Sequence, residues 1–248
     1  MKFQAIIPAR YASTRFPGKP LALLGGKPMI QHVWERVSEV IPCAVVATDD
    51  RRIFDVVEAF GGKAVMTSES HRSGTDRCAE AAATSDADVI INVQGDEPFI
   101  DPAQLQAVMS CFDDPETQIA TLVRPFDPAA GFEALFDPNL VKVVIDEHDF
   151  AMYFSRSVIP YVRGIEWTKW LETARYYTHI GLYAYRRDIL GRLASLPQSA
   201  LEKAESLEQL RWLQNGYRIK VAASNSPTIG IDTPDDLAAA EKYLSNRQ

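Results

Sequence analysis

Three cationic side chains stand close together near the start of the chain, in a loop that contains no acidic residue. The loop follows the apolar run 5–7, which is typical of a buried strand, and its cations are Arg10, Arg15 and Lys19. The residues among them supply hydroxyl groups and free backbone N–H groups: Ser13, Thr14 and Gly18. Groups of these kinds at one end of a sheet can hold a polyphosphate. The alternative is a solvated surface loop.

Two common nucleotide-binding motifs are absent from this loop. A Walker A motif requires Gly-x-x-x-x-Gly-Lys-Ser/Thr, whereas Gly18 and Lys19 are followed by Pro20 and no glycine stands five positions earlier. The dinucleotide fingerprint Gly-x-Gly-x-x-Gly is also missing after the first strand. Its absence argues against a nicotinamide-dependent oxidoreductase.

A carboxylate stands at the end of a second apolar run. Residues 88–93 indicate a buried strand, and Gln94, Gly95, Asp96 and Glu97 follow it. Gln94 and Asp96 share a face if the strand continues that far. Asp is the usual protein ligand of Mg²⁺, which prefers one or two carboxylates together with phosphate oxygens. Asp96 is therefore a candidate metal ligand, and the alternative is a turn in which its carboxylate accepts bonds from nearby N–H groups.

A third acidic stretch, near the end of the chain, begins a helix. Asp232 and Thr233 precede Pro234, which is favoured in the first turn of a helix, so one of the two is expected to be the N-cap. Asp235 and Asp236 fall in the first turn and are interpreted as partners of the helix dipole. If Thr233 is the cap, the carboxylate of Asp232 is free for another role.

A fourth candidate segment, residues 71–77, precedes a helix rich in alanine. Ser73 and Thr75 suit a helix cap, and Gly74 allows a ligand to approach the backbone closely. Thr48 and Asp49 end another strand. We interpret these two residues as a plain turn, with a place in the same pocket as the alternative.

The elements that must position these residues alternate over the first hundred positions. The pattern predicts strands at 3–7, 44–48, 63–66 and 88–93, and helices at 28–40 and about 53–60. This order predicts an α/β fold with a mostly parallel, Rossmann-like sheet flanked by helices and joined by right-handed crossovers. Ligands bind such sheets at the carboxyl ends of the strands, where the candidate residues lie.

The second half of the chain is less regular and predicts a mixed, partly antiparallel addition to the sheet. The expected strands are 119–123, 141–145, 151–154, 179–185 and 217–222, with a hairpin at 146–149. The expected helices are about 200–214, begun by a capping box of Ser199 and Glu202, and 234–244. Residues 160–178 show no clear period. No linker or internal repeat divides the chain, so we interpret 1–248 as a single domain.

The composition argues against several classes of protein. The net charge of −7, from 26 basic and 33 acidic residues, argues against nucleic acid or an anionic membrane as a partner. The cysteines Cys43, Cys78 and Cys111 form no Cys-x-x-Cys pair, so buried thiols are expected rather than a zinc site or a disulfide framework. No apolar run approaches the roughly 18 residues of a membrane span, and no signal peptide is recognisable. We expect a cytoplasmic protein.

Residues 7–21 resemble the N-terminal signature of the 3-deoxy-D-manno-octulosonate (Kdo) cytidylyltransferases. The segment 94–98, Gln-Gly-Asp-Glu-Pro, is similar to the metal-binding segment of that family, and the likeness extends to about residue 237. The resemblance implies a nucleotidyltransferase fold with Mg²⁺ held by Asp96 and Asp232. It also implies a nucleotide-binding part up to about residue 125, a sugar-binding and dimerisation part from about 126, and a homodimer.

The resemblance also assigns the nucleotide side of the site. Arg10, Arg15 and Lys19 would hold the triphosphate of CTP, and Lys19 would lie nearest the transferred phosphate. Lys19, Arg10 and Asp96 are the catalytic residues that it implies. Further contacts to the nucleotide are implied for residues spread over three segments: Ala9, Thr14, Arg72, Ser73 and Gln94.

For the acceptor acid, the resemblance implies a set in the second half of the chain: Arg156, His179, Tyr183, Glu208 and Gln209. Their spacing alone says less. His179 and Tyr183 are four apart on a predicted strand, so they point to one face. The alternatives are a surface ion pair for Arg156, core positions for His179 and Tyr183, and a capping box of Gln209 with Ser206.

The reaction implied by the resemblance is CTP + Kdo → CMP-Kdo + pyrophosphate, for lipopolysaccharide biosynthesis. The anomeric hydroxyl of Kdo would attack the α-phosphate in line, and the protein would supply positioning and electrostatic stabilisation. A cytidylyltransferase for another acid, such as a sialic acid, is the near alternative. A non-catalytic nucleotide sensor on the same fold is the alternative from another class, and it need not keep both Asp96 and Asp232.

Overall fold

A computed structural model describes residues 1–13, 15–226 and 230–245, which contain eleven strands, ten α-helices and four short 3₁₀ helices. The strands are β1 Phe3–Ala9, β2 Leu23–Leu24, β3 Lys27–Pro28, β4 Ala44–Thr48, β5 Ala64–Met66, β6 Val89–Asn92, β7 Ile119–Pro125, β8 Lys142–Ile145, β9 Ala151–Ser155, β10 Tyr177–Arg186 and β11 Ile219–Ala223. The helices are α1 Met29–Val40, α2 Arg51–Ala59, α3 Gly74–Ala82, α4 Pro102–Ser110, α5 Phe132–Leu135, α6 Trp170–Thr173, α7 Arg187–Ala194, α8 Ala200–Glu205, α9 Gln209–Gln214 and α10 Pro234–Ser245.

These elements form two compact units, and the chain passes between them more than once. The first unit comprises Met1–Gln106, Ala184–Ala194 and Ser226–Gln248, and the second comprises Ala107–Tyr183 and Ser195–Asn225. The two later segments of the first unit carry α7 and α10, so residues far apart in the sequence meet there. The single domain and its functional division near residue 125 stay predictions.

The first unit contains a parallel sheet in the order β6-β1-β4-β5. The central strand is β1, in which Ile6 pairs with Val45 on one side and with Asn92 on the other. Ile6 and Ile7 are fully buried, as expected where helices cover both faces of a parallel sheet. Because the strands are parallel, the loops after β1 and β6 begin at the same edge of the sheet. The predicted α/β architecture is confirmed.

The last helix of the chain is packed beside these loops within the first unit. Buried apolar side chains from α10, from the β2–β3 hairpin and from the segments near them form one cluster: Leu24, Met29, Phe99, Ile231 and Ala240. The backbone N–H of Ile231 also donates to the carbonyl of Asp96 at 3.0 Å. This packing brings the segment that carries Asp232 to the end of the sheet.

The second unit has the mixed strand directions that the sequence predicts. β7 and β11 are parallel, whereas β8 pairs antiparallel with both β9 and β10. β8 and β9 form the expected hairpin, in which the carboxylate of Asp146 accepts from the N–H groups of His148 and Phe150. An apolar cluster includes residues of the segment without a clear period: Phe132, Leu135, Trp170 and Tyr176.

The helix predicted at 200–214 is wrong, because two helices replace it. The capping box of Ser199 and Glu202 begins α8 as expected, but α8 ends at Glu205. Ser206 takes a left-handed conformation with φ of 51°, and the N–H of Leu207 then donates to the carbonyl of Glu202 at 3.3 Å. Serine carries no sequence signal as strong as glycine for this conformation. The sequence interpretation also left out α4 and α7.

The cysteines are free thiols, as predicted, but one of them is not buried. Cys78 and Cys111 are buried, whereas Cys43 is exposed just before β4. Burial raises the pKa of Cys111 to about 11, so this thiol stays protonated at neutral pH. Within the described ranges, no helix is both long enough and apolar enough to cross a membrane.

Candidate active site

A polar cavity of about 300 Å³ lies at the carboxyl end of β1 in the first unit. Its lining comes from the loop after β1, the start of α3, the loop after β6 and the segment before α10: Pro8, Ala9, Arg10, Ser13, Arg15, Lys19, Pro20, His71, Arg72, Ser73, Gly74, Arg77, Gln94, Gly95, Asp96 and Asp232. Every residue predicted for the nucleotide side or the metal is among them except Thr14. Thr14 lies outside the described residues.

The loop after β1 is closed by its own backbone. The N–H of Gly18 donates to the carbonyl of Tyr11 at 2.9 Å, and Gly18 has a φ of 71°, which favours glycine. A Cβ at this position would lie 3.1 Å from the ring of Tyr11. The guanidinium of Arg52 lies over that ring, 3.3 Å from its centre. These contacts place Lys19 at the start of a 3₁₀ turn beside the cavity.

The ammonium group of Lys19 lies between the two predicted metal ligands. Its Nζ donates to Oδ2 of Asp96 at 2.6 Å and to Oδ1 of Asp232 at 3.1 Å. The guanidinium of Arg15 donates to the other oxygen of Asp232 at 3.2 Å. The side chain of Lys19 is only 14% exposed, so its ion pairs are less screened than those at an open surface. The two carboxylates therefore converge on one point, which a cation occupies.

The start of α10 leaves the carboxylate of Asp232 free for this contact. The hydroxyl of Thr233 accepts from the N–H of Asp236 at 3.2 Å, so Thr233 is the N-cap. The carboxylate of Asp236 accepts in turn from the N–H groups of Asp232 and Thr233. The Thr233 hydroxyl, which donates to the same carboxylate at 2.9 Å, and these two N–H groups hold the pKa of Asp236 below its usual range. The structure confirms that Thr233 caps the helix, and the further role of Asp232 stays a prediction.

Asp96 reaches the cavity from a turn and not from a strand. β6 ends at Asn92, so the condition under which Gln94 and Asp96 share a strand face is not met. Gly95 lies so close to β1 that a Cβ there would be 2.8 Å from the carbonyl oxygen of Pro8. The N–H of Glu97 donates to the carbonyl of Gln94 at 3.3 Å, so the chain turns here, and Gln94 and Asp96 line one cavity without the alternation of a strand.

Glu97 follows Asp96 in the chain, although it is not one of the described residues that line the cavity. Burial, and then the neighbouring charge of Asp96, raise the pKa of Glu97 to about 7. Its carboxyl group therefore exchanges a proton near neutral pH, one residue away from a predicted metal ligand.

Ser73 combines a structural role with its place in the cavity. Its hydroxyl accepts from the N–H of Asp76, and the carboxylate of Asp76 accepts from the N–H of Ser73, so the two form a capping box at the start of α3. The hydroxyl proton of Ser73 remains available to a ligand. Arg72 is exposed beside it, and His71 pairs with Glu80 of α3.

Arg77 is a cavity residue that the sequence analysis missed. Its guanidinium donates to Asp49 and to the hydroxyl of Thr67, both at 2.6 Å, and its side chain is 4% exposed. Asp49 is therefore the partner of a buried arginine and not only part of a turn, while Thr48 is fully buried. The available sequence signals were Asp49 after one strand, Thr67 after the next strand and Arg77 in the following helix.

In the second unit, Arg156 does not form the surface ion pair that was its alternative reading. Its Nε donates to the carbonyl of Glu205 at 2.6 Å, and its NH1 donates to the carbonyl of Pro138 at 2.8 Å. The carboxylate of Glu205 accepts from the hydroxyl of Ser155 and from the backbone N–H of Arg156. The guanidinium is thus fixed by backbone oxygens at the end of β9 and keeps its positive charge unpaired by a carboxylate within the described residues.

His179 and Tyr183 lie together, as their spacing predicts, with ring centres 5.2 Å apart. The hydroxyl of Thr121 donates to the carbonyl of Leu182 at 2.8 Å, so Nε2 of His179, 3.0 Å from that hydroxyl, must donate to it. Burial lowers the pKa of His179 to about 4 and raises the pKa of Tyr183 well above its usual range. Both side chains are therefore neutral at pH 7, and His179 presents Nδ1 as an acceptor.

Glu208 and Gln209 lie at the start of α9, next to the turn that fixes Arg156. Glu208 accepts from Arg211 at 2.8 Å, and Gln209 is 5% exposed. The alternative capping box of Gln209 with Ser206 is not formed, because Glu208 is the N-cap of α9 and Ser206 ends α8. Tyr183 packs edge-on against Trp212 of the same helix, at 5.1 Å between ring centres.

The residues around Lys19 fit a magnesium ion. Mg²⁺ is usually held by one or two carboxylates together with substrate phosphate oxygens. Asp96 and Asp232 supply two carboxylates that already share a cation. In the part of the chain that the structure describes, no cluster of three or more His, Cys, Asp or Glu side chains is placed to hold a metal. Asp96 and Asp232 therefore suit an ion that takes its other oxygen ligands from elsewhere, such as the phosphates of a substrate.

The sheet and its cavity together define a class of protein. A parallel sheet whose strand-end loops carry several cations and two convergent carboxylates is suited to hold and transfer a nucleotide. The family model described as cytidylyltransferase matches residues 4–219, so the chain is similar to nucleotidyltransferases of this kind. A cytidylyltransferase structure from Leptospira borgpetersenii, 17% identical over 99% of this chain and 87% of its own, has a TM-score of 0.64 and shows a likeness of fold alone.

More similar proteins narrow the class. A 3-deoxy-manno-octulosonate cytidylyltransferase from Phocaeicola vulgatus is 62% identical over all of this chain and 99% of its own length, and one from Parabacteroides distasonis is 60% identical over the full length of both. A solved structure of CMP:2-keto-3-deoxy-manno-octonic acid synthetase complexed with CTP is 44% identical over both full chains, with a TM-score of 0.92. The chain belongs to the 3-deoxy-manno-octulosonate cytidylyltransferase family.

Proposed function

We propose that the protein transfers CMP from CTP to the anomeric hydroxyl of Kdo and releases pyrophosphate. The observation that carries this proposal within the structure is the position of Lys19, between Asp96 and Asp232 in a cavity that also contains Arg10 and Arg15. The cations can bind a triphosphate, and the two carboxylates can bind the metal ion that accompanies it. The family to which the chain belongs supplies the identity of nucleotide and acceptor, and the product would serve lipopolysaccharide biosynthesis.

On the nucleotide side, each residue has a role that follows from its charge and position. Arg10 and Arg15 would bind phosphate oxygens from the open side of the cavity, since both are exposed. Lys19 would leave the two carboxylates and contact the α-phosphate, where negative charge develops. Ala9, Thr14, Arg72, Ser73 and Gln94 would hold the rest of the nucleotide.

The carboxylates of Asp96 and Asp232 would hold Mg²⁺ in the place of the Lys19 ammonium. When bound there, Mg²⁺ would neutralise charge on the phosphate oxygens and lower the pKa of the attacking hydroxyl. The carboxylates do not need to move far, because both are already within hydrogen-bond distance of a single cation. Asp96 thereby joins Lys19 and Arg10 as a catalytic residue in the proposal.

The acceptor would bind in the second unit. Arg156 offers a fixed positive charge for the sugar carboxylate, and the neutral His179 and Tyr183 offer hydrogen bonds to its hydroxyl groups. Glu208 and Gln209 would add polar contacts from the start of α9.

The test is pyrophosphate release in the presence of Mg²⁺, with CTP and Kdo together and each alone. Sialic acid in place of Kdo and ATP in place of CTP are the controls. We expect release only when CTP and Kdo are both present. Release with sialic acid and not with Kdo would discard the acceptor half of the proposal, and CTP binding without release for any acid would favour a nucleotide sensor.

A homodimer in the cytoplasm completes the proposal. Large apolar side chains of the second unit are exposed, which is typical of a surface covered by a partner: Phe136 55%, Met152 62%, Tyr161 73% and Trp167 47%. The free thiols suit a reducing compartment. Light scattering at micromolar concentration should give twice the mass of the chain, and a monomeric mass would contradict the dimer.

A further inference from the structure

Lys142 is a fully buried lysine in the second unit. It is the first residue of β8, where its backbone lies between Ser155 of β9 and Thr178 of β10. Its relative exposure is 0%, which is rare for a lysine without a carboxylate partner. The ammonium donates to the backbone carbonyl of Asp137 at 3.0 Å, and within the described residues it has no carboxylate within 4.0 Å. Such a charge is costly to bury unless another group compensates for it.

A second cation contacts the next peptide group. NH1 of Arg156 donates to the carbonyl of Pro138, directly after the Asp137 carbonyl that Lys142 contacts. The turn that carries both carbonyls is tight, because the Asp137 carbonyl also accepts from the N–H of Leu140 at 3.2 Å. Lys142 therefore fixes the 137–140 turn, and this turn fixes one side of the Arg156 guanidinium.

The two cations of this region bond to backbone oxygens and not to carboxylates. Lys142 and Arg156 bring two positive charges whose hydrogen-bond acceptors are backbone carbonyl oxygens. Two acids lie nearby: Asp137, whose charge acts on the Lys142 ammonium, and Glu205, whose carboxylate accepts from the Ser155 hydroxyl at 2.6 Å and from the Arg156 N–H at 2.9 Å. Because the bonds of NH1 and NH2 of Arg156 lie on the exposed side while Lys142 is buried, an anion would contact Arg156 with Lys142 behind it.

We propose that Lys142 is a positioning residue for the carboxylate of the acceptor acid. It holds the 137–140 turn that aligns Arg156 for that carboxylate. This inference rests on the proposed function, since it concerns the acceptor of that reaction. It adds a residue that the spacing of the sequence does not single out.

The test is the variant Lys142→Met, which removes the charge and keeps the length of the side chain. We expect the KM for Kdo to rise at least about tenfold and the KM for CTP to change less than about threefold. The melting temperature should stay level or rise, because replacing a buried unpaired ammonium with an apolar group of similar size is often neutral or stabilising. Lys142→Gln keeps a donor for the Asp137 carbonyl and should bring the KM for Kdo back towards the wild-type value.

Lys220→Met is the matched control. Lys220 lies in the same unit and also donates to a backbone carbonyl, that of His148 at 2.8 Å, but it contacts neither Arg156 nor the 137–140 turn. It should leave both KM values unchanged. The inference is overturned if Lys142→Met has a normal KM for Kdo, if Lys142→Gln raises that KM as much as Lys142→Met does, or if Lys142→Met and Lys220→Met weaken Kdo and CTP alike. Absence of activity with Kdo in the wild-type protein would instead overturn the proposed function itself.

If Lys142→Met is too unstable for kinetics, the rise in melting temperature caused by each ligand gives a second measurement. Kdo and CTP each raise the melting temperature of a protein that binds them. We expect the variant to keep the shift caused by CTP and to lose most of the shift caused by Kdo. Equal retention of both shifts would overturn the inference.

Discussion

Lys19 contacts two carboxylates in the structure and a triphosphate in the proposed reaction. The same side chain thus has two sets of negative partners, Asp96 with Asp232 and the phosphates, and it can satisfy one set at a time. Nothing else in the cavity links the two carboxylates so directly, among the residues described. Substrate, metal ion and lysine are therefore expected to exchange partners, which makes these three side chains the residues to change first.

Removal of one carboxylate tests the metal-binding role. Asp96→Asn is expected to lower kcat by a factor on the order of 10²–10³, the range found for loss of one group that stabilises charge in a transition state. CTP binding should largely survive, because Arg10, Arg15 and Lys19 remain. Steady-state kinetics together with calorimetric titration of CTP give both values. Asp235→Asn, at an exposed position in the first turn of α10, is the control, and near-normal turnover in Asp96→Asn would remove Asp96 from the site.

Removal of the lysine tests the exchange of partners. Without its ammonium, Asp96 and Asp232 lose their shared cation, so Lys19→Met should bind Mn²⁺ in the absence of CTP about tenfold more tightly than the wild-type protein does. Turnover should fall at the same time. Electron paramagnetic resonance of free Mn²⁺ measures this binding directly. Arg15→Met removes a cation that contacts Asp232 alone and is expected to have a smaller effect, whereas equal Mn²⁺ affinity in Lys19→Met and wild type would contradict the exchange.

At the scale of elements, the termini of helices decide where the charged groups of the site point. Thr233 caps α10 and leaves Asp232 free, and Ser73 caps α3 at the mouth of the cavity. The start of a helix is therefore both a stabilising feature and part of the site in two places. Ser199 caps α8 but holds no site residue, so a change at Ser199 tests the stabilising role of a cap alone.

Thr233→Ala is expected to weaken the fold and the site together. Loss of an N-cap costs about 1 kcal/mol of unfolding free energy, because a backbone N–H at the start of the helix loses its acceptor. The segment that carries Asp232 also loses one of its three bonds to the Asp236 carboxylate, so the KM for CTP in the presence of Mg²⁺ should rise several-fold. Ser199→Ala should show a similar loss of stability by urea denaturation with an unchanged KM. A similar KM effect in both variants would assign the change to stability alone.

Much of this arrangement is predictable from the sequence, because the carboxyl ends of parallel strands must meet. The apolar runs before Arg10 and Asp96 are sufficient to place both residues at one edge of the sheet. Contacts that join distant segments are not predictable in this way. The pairing of Arg77 with Asp49, the contact of Thr121 with His179, and the break at Ser206 depend on side chains that are equally common in ordinary helices, strands and turns.

At the scale of the whole molecule, two buried titratable groups make stability depend on pH in opposite directions. Glu97 in the first unit has a pKa raised to about 7, so the folded protein binds an extra proton there and gains stability as pH falls from 7 towards the unfolded value. His179 in the second unit has a pKa lowered to about 4, so the unfolded chain binds the extra proton. Its contribution is therefore lost as pH falls from about 6.5 towards 4.

The two contributions can be separated by changing one group and keeping the other. Between pH 7 and pH 5, a histidine whose pKa falls from about 6.5 to about 4 on folding removes about 2 kcal/mol of stability. His179→Gln cannot accept the proton in either state, so its unfolding free energy should fall by about 2 kcal/mol less than that of the wild-type protein over this range.

Urea denaturation at the two pH values measures the difference, and the contribution of Glu97 cancels because both proteins contain it. An identical dependence in His179→Gln and wild type would mean that His179 takes up its proton as readily in the folded protein as in the unfolded chain, which would contradict the lowered pKa of His179.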